Sequence, residues 1–111
     1  MCTKAEAIHI LRQVKDGCER IYPGVIRDAW LYGSFARGDQ HEGSDVDILL
    51  TADLTDTEIA RRRGALAHLS SELSLAHDVT VSVTVKPLAQ FQRFSSAMPY
   101  YRAVVQEGIR L

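Results

Sequence analysis

Apolar and polar positions alternate along this chain with two different periods, and the switches between them mark its elements. From Thr3 to about Arg20, Ala7, Ile8, Leu11, Val14, Lys15 and Cys18 fall at helical spacing. Thr3 and Glu6 supply a capping-box pattern at its start, and Ile21-Tyr22-Pro23-Gly24 breaks the run. Val25 to Tyr32 reads as a strand closed by Gly33, and Ser34 to Gly38 suits one short helical turn. Asp39 to Gly43 is polar loop, and Ser44 to Thr51 is a second strand ending in Ile48-Leu49-Leu50. Thr55 with Glu58 predicts the start of a helix reaching about Leu73, with Ile59, Leu66, Leu69 and Leu73 as its apolar stripe. The clearest strand is Asp78 to Lys86, where Val79, Val81, Val83 and Val85 alternate with Asp78, Thr80, Ser82 and Thr84. Pro87 opens a helix facing inward through Leu88, Phe91 and Phe94. Pro99 interrupts it, and Tyr100 to Glu107 forms a last helical piece capped by Gly108.

This order predicts an α/β (α+β) domain, a small mixed β-sheet packed by helices. With 111 residues the chain fits a single domain, 1–111, with a shallow, open site that a partner chain completes. The apolar and charged fractions, 46% and 24%, are ordinary for a globular protein. A net charge of −1 gives no global basic field, which argues against nucleic acid as an obligatory partner. No apolar run approaches the roughly 20 residues of a membrane span. Cys2 and Cys18 make neither a disulfide framework nor a metal site, and a cytoplasmic location with reduced thiols is expected.

The chemistry concentrates in Leu31 to Leu50. Gly33-Ser34 lies where a strand turns into a helix start, a place where free N–H groups attract anions. Arg37 adds a charged donor one turn later, and Gly38 keeps the exit open. Asp45 and Asp47, two apart on a strand, project from one face with Cα atoms about 7 Å apart. Such a pair repels itself unless a divalent cation intervenes, and oxygen ligands favour Mg²⁺ or Mn²⁺, which keeps positions for phosphate oxygens and water. Either half alone is more often a turn glycine or a strand-edge acid; together they suggest chemistry on a nucleoside triphosphate. Asp78 is the best candidate for a third carboxylate, provided its strand lies beside the pair. Thr80 and Ser82 share its face, and if either holds that position the third acid is missing. Elsewhere, Arg61-Arg62-Arg63 reads first as a solvated helix face. His9, His41, His68 and His77 lack metal-ligand spacing, although His41 lies between the motif halves. Trp30 is expected in the core, and Tyr100 and Tyr101 at a sheet edge or a partner contact.

The combined string, Gly33-Ser34 followed after ten residues by Asp45-Val46-Asp47, resembles the nucleotidyltransferase superfamily and its minimal, MNT-type branch. Ala36-Arg37-Gly38 and Ser44 match as well. The resemblance implies a polymerase-beta-like core in which Gly33 and Ser34, with Arg37 and Ser44, hold the nucleotide. Asp45 and Asp47 would bind Mg²⁺ or Mn²⁺, and Asp78 would be the third acid that activates the attacking hydroxyl. It further implies an NTP substrate, ATP in the first place, and a HEPN-type partner protein, since many small members resemble the antitoxin of HEPN/MNT pairs. The expected activity is NMP transfer to a hydroxyl, such as a tyrosine of that partner. The alternative is a catalytically weak module that neutralises the partner by binding. RNA binding through Arg61 to Arg63 is a third and weaker reading.

Overall fold

The computed structural model describes residues 2–111. The elements are α1 (Lys4–Ile21), β1 (Ile26–Tyr32), α2 (Ser34–Arg37), β2 (Val46–Ala52), α3 (Asp56–Ala60), α4 (Arg63–His77), β3 (Val81–Pro87), α5 (Leu88–Phe94), α6 (Pro99–Glu107) and β4 (Ile109–Arg110). One sheet of four strands has the order β3-β2-β1-β4. β1 pairs antiparallel with β2 and with β4, while β2 pairs parallel with β3. The parallel pair needs a crossover, and α3 with α4 provides it. The expected α/β class with a mixed sheet and helical cover is therefore the observed one.

Strand alternation sorts the sheet into two faces. On the first, Ala29, Leu31, Val46, Ile48, Leu50, Val81 and Val85 meet Ile10, Leu11, Val14 and Cys18 of α1 and Leu66, Leu69 and Leu73 of α4 in the main core. Each fully buried Leu, Ile or Val contributes about 1.5–3 kcal/mol. Gly17 lets the two helices close: a Cβ there would lie 2.7 Å from both Leu69 methyls. On the second face Trp30 and Leu49 form a smaller cluster with Phe91 of α5 and Tyr101 and Val104 of α6. That cover stops short of the end of β2 that carries Asp47.

Four elements depart from the expectation. The helix read from Thr55 to Leu73 is two helices, divided at Arg61 and Arg62. The Ile59 carbonyl is diverted there, accepting from the buried Tyr22 hydroxyl at 2.7 Å and from Arg62 N–H at 3.2 Å. Asp78 does not begin β3. It caps α4 in the left-handed region, φ 51°, ψ 45°, and its N–H donates to Ser74 O. Asp tolerates that conformation better than most residues, so the acid reads locally as a helix stop. Pro99 begins α6 at its first turn instead of only interrupting α5. The two-residue β4 was not anticipated, because only β1 defines it.

Candidate active site

β1 ends at Tyr32, and the chain reverses through Gly33 at φ 77°, ψ −155°, a region open in practice to glycine alone. A Cβ at Gly33 would lie 2.6 Å from Asp47 Oδ2, so the glycine also makes room for that carboxylate. Ser34 then opens α2. Ala36 and Arg37 donate to Gly33 O, both at 3.1 Å, which leaves the Ser34 and Phe35 N–H groups without an acceptor among the described residues. The turn closes at Gly38, φ 85°, whose N–H donates to Ser34 O at 2.9 Å.

The loop that follows is built by its own polar groups. Ser44 is buried; its Oγ accepts from His41 N–H at 2.9 Å and its N–H donates to His41 O at 3.0 Å. Gly43 N–H donates to His41 Nδ1 at 3.0 Å. Ser44 and His41 thus shape the turn that delivers Asp45. Asp45 is exposed and Asp47 half-buried, both opposite the core-facing Val46 and Ile48.

Asp47 is held above the ordinary carboxylate range by burial first and by the Asp45 charge second, with Arg37 opposing. Two carboxylates on one strand face, one of them partly desolvated and neither neutralised by a direct ion pair, make a donor set suited to a hard divalent cation.

Register decides what flanks the pair. Tyr32 lies opposite Asp47 on β1, and Ser82 lies opposite it on β3. Tyr32, Asp47 and Ser82 thus form one row on the second face, with a hydroxyl where a third strand-borne acid would stand. Among the described residues no group of three His, Cys, Asp or Glu side chains is placed to hold a metal. Asp78 lines a cleft of about 310 Å³ together with Ser44, Asp45 and Thr80, on the side of Asp45 away from Asp47's row. The structure thus brings Gly33, Ser34, Asp45 and Asp47 together, puts Asp78 on the cleft wall, and gives Ser44 a loop-forming role.

Arg37 is engaged by protein. Its Nε meets Asp39 Oδ2 at 3.2 Å and its guanidinium meets Glu107 Oε2 at 3.3 Å, the latter tying the Gly33 turn to α6. Tyr32 makes a second tie: its hydroxyl lies 2.8 Å from that of Tyr100 on α6. Burial, the Tyr100 contact and the Asp47 charge together raise the Tyr32 pKa. Tyr32 is a site residue that sequence patterning does not single out, because only the hairpin register puts it beside Asp47. His41 enters only through the loop it builds with Ser44, and the other histidines and the arginine run lie away from the site. His77 bonds Gln13 and packs edge-on to His9, and Arg61 to Arg63 surround the α3–α4 break.

The chain is similar to known proteins in sequence and in fold. A family model for the nucleotidyltransferase domain matches residues 11–109. Two proteins of Methanocaldococcus jannaschii, MJ0141 and MJ0604, each provisionally named a protein adenylyltransferase, are similar. The first is 31% identical over 69% of this chain and 76% of its own length, and the second 31% identical over 78% and 79%. Among solved structures, a mutant of the toxin–antitoxin MntA-HpeT superposes with a TM-score of 0.57 at 24% identity, covering 98% of this chain and 72% of that one. A toxin–antitoxin structure with AMP-PNP gives 0.55 at 22% identity, covering 89% and 69%. At these identities the structural likeness speaks for the fold.

Proposed function

The chain belongs to the nucleotidyltransferase domain family and is a nucleotidyltransferase, and from that premise we propose that it transfers AMP from ATP to a hydroxyl of a partner protein. The observation that carries this reading is the Gly33 turn, which leaves free N–H groups at the start of α2 and packs against Asp47 of the carboxylate pair. The acceptor class follows the two similar adenylyltransferases, and the partner class, a HEPN-type toxin, follows the toxin–antitoxin neighbours and the resemblance of the motif.

In this reading Asp45 and Asp47 hold a divalent cation, Mg²⁺ or Mn²⁺, which when bound supplies charge neutralisation on the transferring phosphoryl group and the departing pyrophosphate. The Ser34 and Phe35 N–H groups and the Ser34 hydroxyl bind the triphosphate tail. Arg37 adds positive charge beside Asp47 while its ion pairs hold α6 against the turn. Ser44 acts through the loop, fixing where Asp45 emerges. Asp78 enters only through the cleft it shares with Asp45, where its carboxylate is the candidate acceptor for the hydroxyl's proton. Asp78→Asn separates that role from its helix-capping one, because Asn also favours the left-handed conformation.

The test is a mass-shift assay with Mg·ATP and the purified HEPN-type protein. One AMP per acceptor is expected, with transfer reduced at least about 100-fold in Asp45→Asn with Asp47→Asn, the scale on which charge stabilisation acts. Absence of transfer while the two proteins bind would count against the proposal. Ser82 beside Asp47 favours a second reading, a slow or inactive enzyme that neutralises its partner by binding. Inhibition of the partner that survives the double substitution unchanged selects it.

A further inference from the structure

β3 is an edge strand, with β2 on one side and no strand on the other. Val46 N–H donates to Thr80 O at 2.8 Å, which sets the phase of the parallel ladder. Even-numbered residues of β3 therefore turn their N–H and C=O groups toward β2, and Val81, Val83 and Val85 turn theirs outward. At Val81 the outward groups are satisfied by α4: its N–H donates to Ser74 Oγ at 2.9 Å, and its carbonyl accepts from Ser70 Oγ. At Val83 and Val85 the outward groups have no partner among the described residues. Val83 is half-buried and Val85 buried, so Val83 is the open part of this edge. They border a groove of about 430 Å³ lined by Ile59, Leu66 and Ala67 on the helical side and by Arg63 and Lys86 as its charged residues, with no acid among the lining.

We propose that this edge takes up an extended segment of a partner protein in which apolar side chains alternate with acidic ones. Edge strands are normally blunted by a bulge, an inward charge or a covering element. Here the α4 serines blunt Val81 alone, and the first proline comes at the end of the strand, Pro87. A strand laid along Val83 and Val85 would satisfy their amides and carbonyls. Its alternate side chains would reach Ile59, Leu66 and Ala67, with Arg63 at the end of that row, and the intervening ones would pass Lys86 on the other face, so carboxylates are favoured at both. A second copy of this chain is the poorer occupant, because its own edge brings the same two cations and no acid. The proposal stands on the edge and the groove and needs no catalysis.

The probe is a short synthetic peptide of alternating valine and glutamate, blocked at both ends, added to the full chain. We expect saturable binding with new hydrogen-exchange protection at the Val83 and Val85 amides, and weak binding of the matching valine–lysine peptide. Val83→Pro removes only an outward N–H and is tolerated on an edge; it should weaken binding at least about tenfold, the equivalent of roughly 1.4 kcal/mol. Arg63→Glu with Lys86→Glu should reverse the preference toward the lysine peptide, a readout that stands even if the proline variant does not fold. Asp45→Asn with Asp47→Asn should bind the peptide like the parent, which keeps this outcome separate from that of the transfer assay. Binding unchanged by Val83→Pro, equal affinity for both peptides, or protection that rises with the chain's own concentration in the absence of peptide overturns the proposal, the last in favour of a second copy.

Discussion

Asp47 is where function and stability oppose each other. Its pKa is raised by burial and by Asp45, so the folded state binds this proton more tightly than the unfolded chain does. The sign follows from linkage: the cost of ionising Asp47 is absent below the ordinary carboxylate pKa and grows as pH rises through the folded value. At neutral pH, Asp47→Asn should therefore raise Tm by a few degrees while abolishing transfer, and the gain should vanish in acid. Thermal unfolding at pH 3 and pH 7 with and without Mg²⁺ checks this, with Mg²⁺ raising Tm in the parent and not in the variant. Gly33 shows the complementary dependence. Gly33→Ala combines a backbone strain of about 1–3 kcal/mol with a Cβ 2.6 Å from Asp47 Oδ2. It should lower stability by at least that strain and remove the Mg²⁺ response, because the displaced carboxylate no longer faces Asp45. An unaltered Mg²⁺ shift in Gly33→Ala would refute the close approach as the reason for this glycine.

Between elements, one hydroxyl settles a question that patterning leaves open. Thr55, Ile59, Leu66 and Leu73 are compatible with one long helix, and the capping box at Thr55 and Glu58 forms as the sequence predicts. The break at Arg61 and Arg62 comes from Tyr22, far away in sequence, which takes the Ile59 carbonyl. Tyr22→Phe should cost about 1 kcal/mol, because the carbonyl keeps its Arg62 N–H, and lower Tm by roughly 4–8 °C. A change below one degree would show that the break is intrinsic to Arg61-Arg62. The same contrast explains what was legible in the sequence. Strands β1, β2 and β3 and the Gly33–Asp47 motif lie in local alternation and turn chemistry, so they can be read directly. The third-acid position depends on the register of two parallel strands joined by a helical crossover, and no local pattern encodes that register. Asp78 looked like the first polar residue of β3, whereas the chain uses it to stop α4 and puts Ser82 beside Asp47.

At the scale of the molecule, the sheet divides labour between its faces. α1 and α4 cover one face, with Val83 only partly buried at its β3 edge. α5 and α6 pack on the other around Trp30 and Leu49, and their cluster does not extend to Asp47 and the Gly33 turn. The site is therefore open because the second layer is short, and its geometry leans on that layer through the Arg37–Glu107 and Tyr32–Tyr100 contacts. The exposed ion pair contributes little stability by itself, so docking of α6 rests on the cluster of Trp30, Leu49, Phe91, Tyr101 and Val104. Leu49 is fully buried there. Leu49→Ala should cost about 2–5 kcal/mol, unevenly distributed: hydrogen exchange should quicken in α5 and α6 while α1 and α4 stay protected. Transfer should fall with it, although Gly33, Asp45 and Asp47 are intact, because the Gly33 turn has lost its ties to α6. Equal loss of protection in both layers would instead make the sheet a single cooperative unit, and the open face would then owe nothing to how α6 is held.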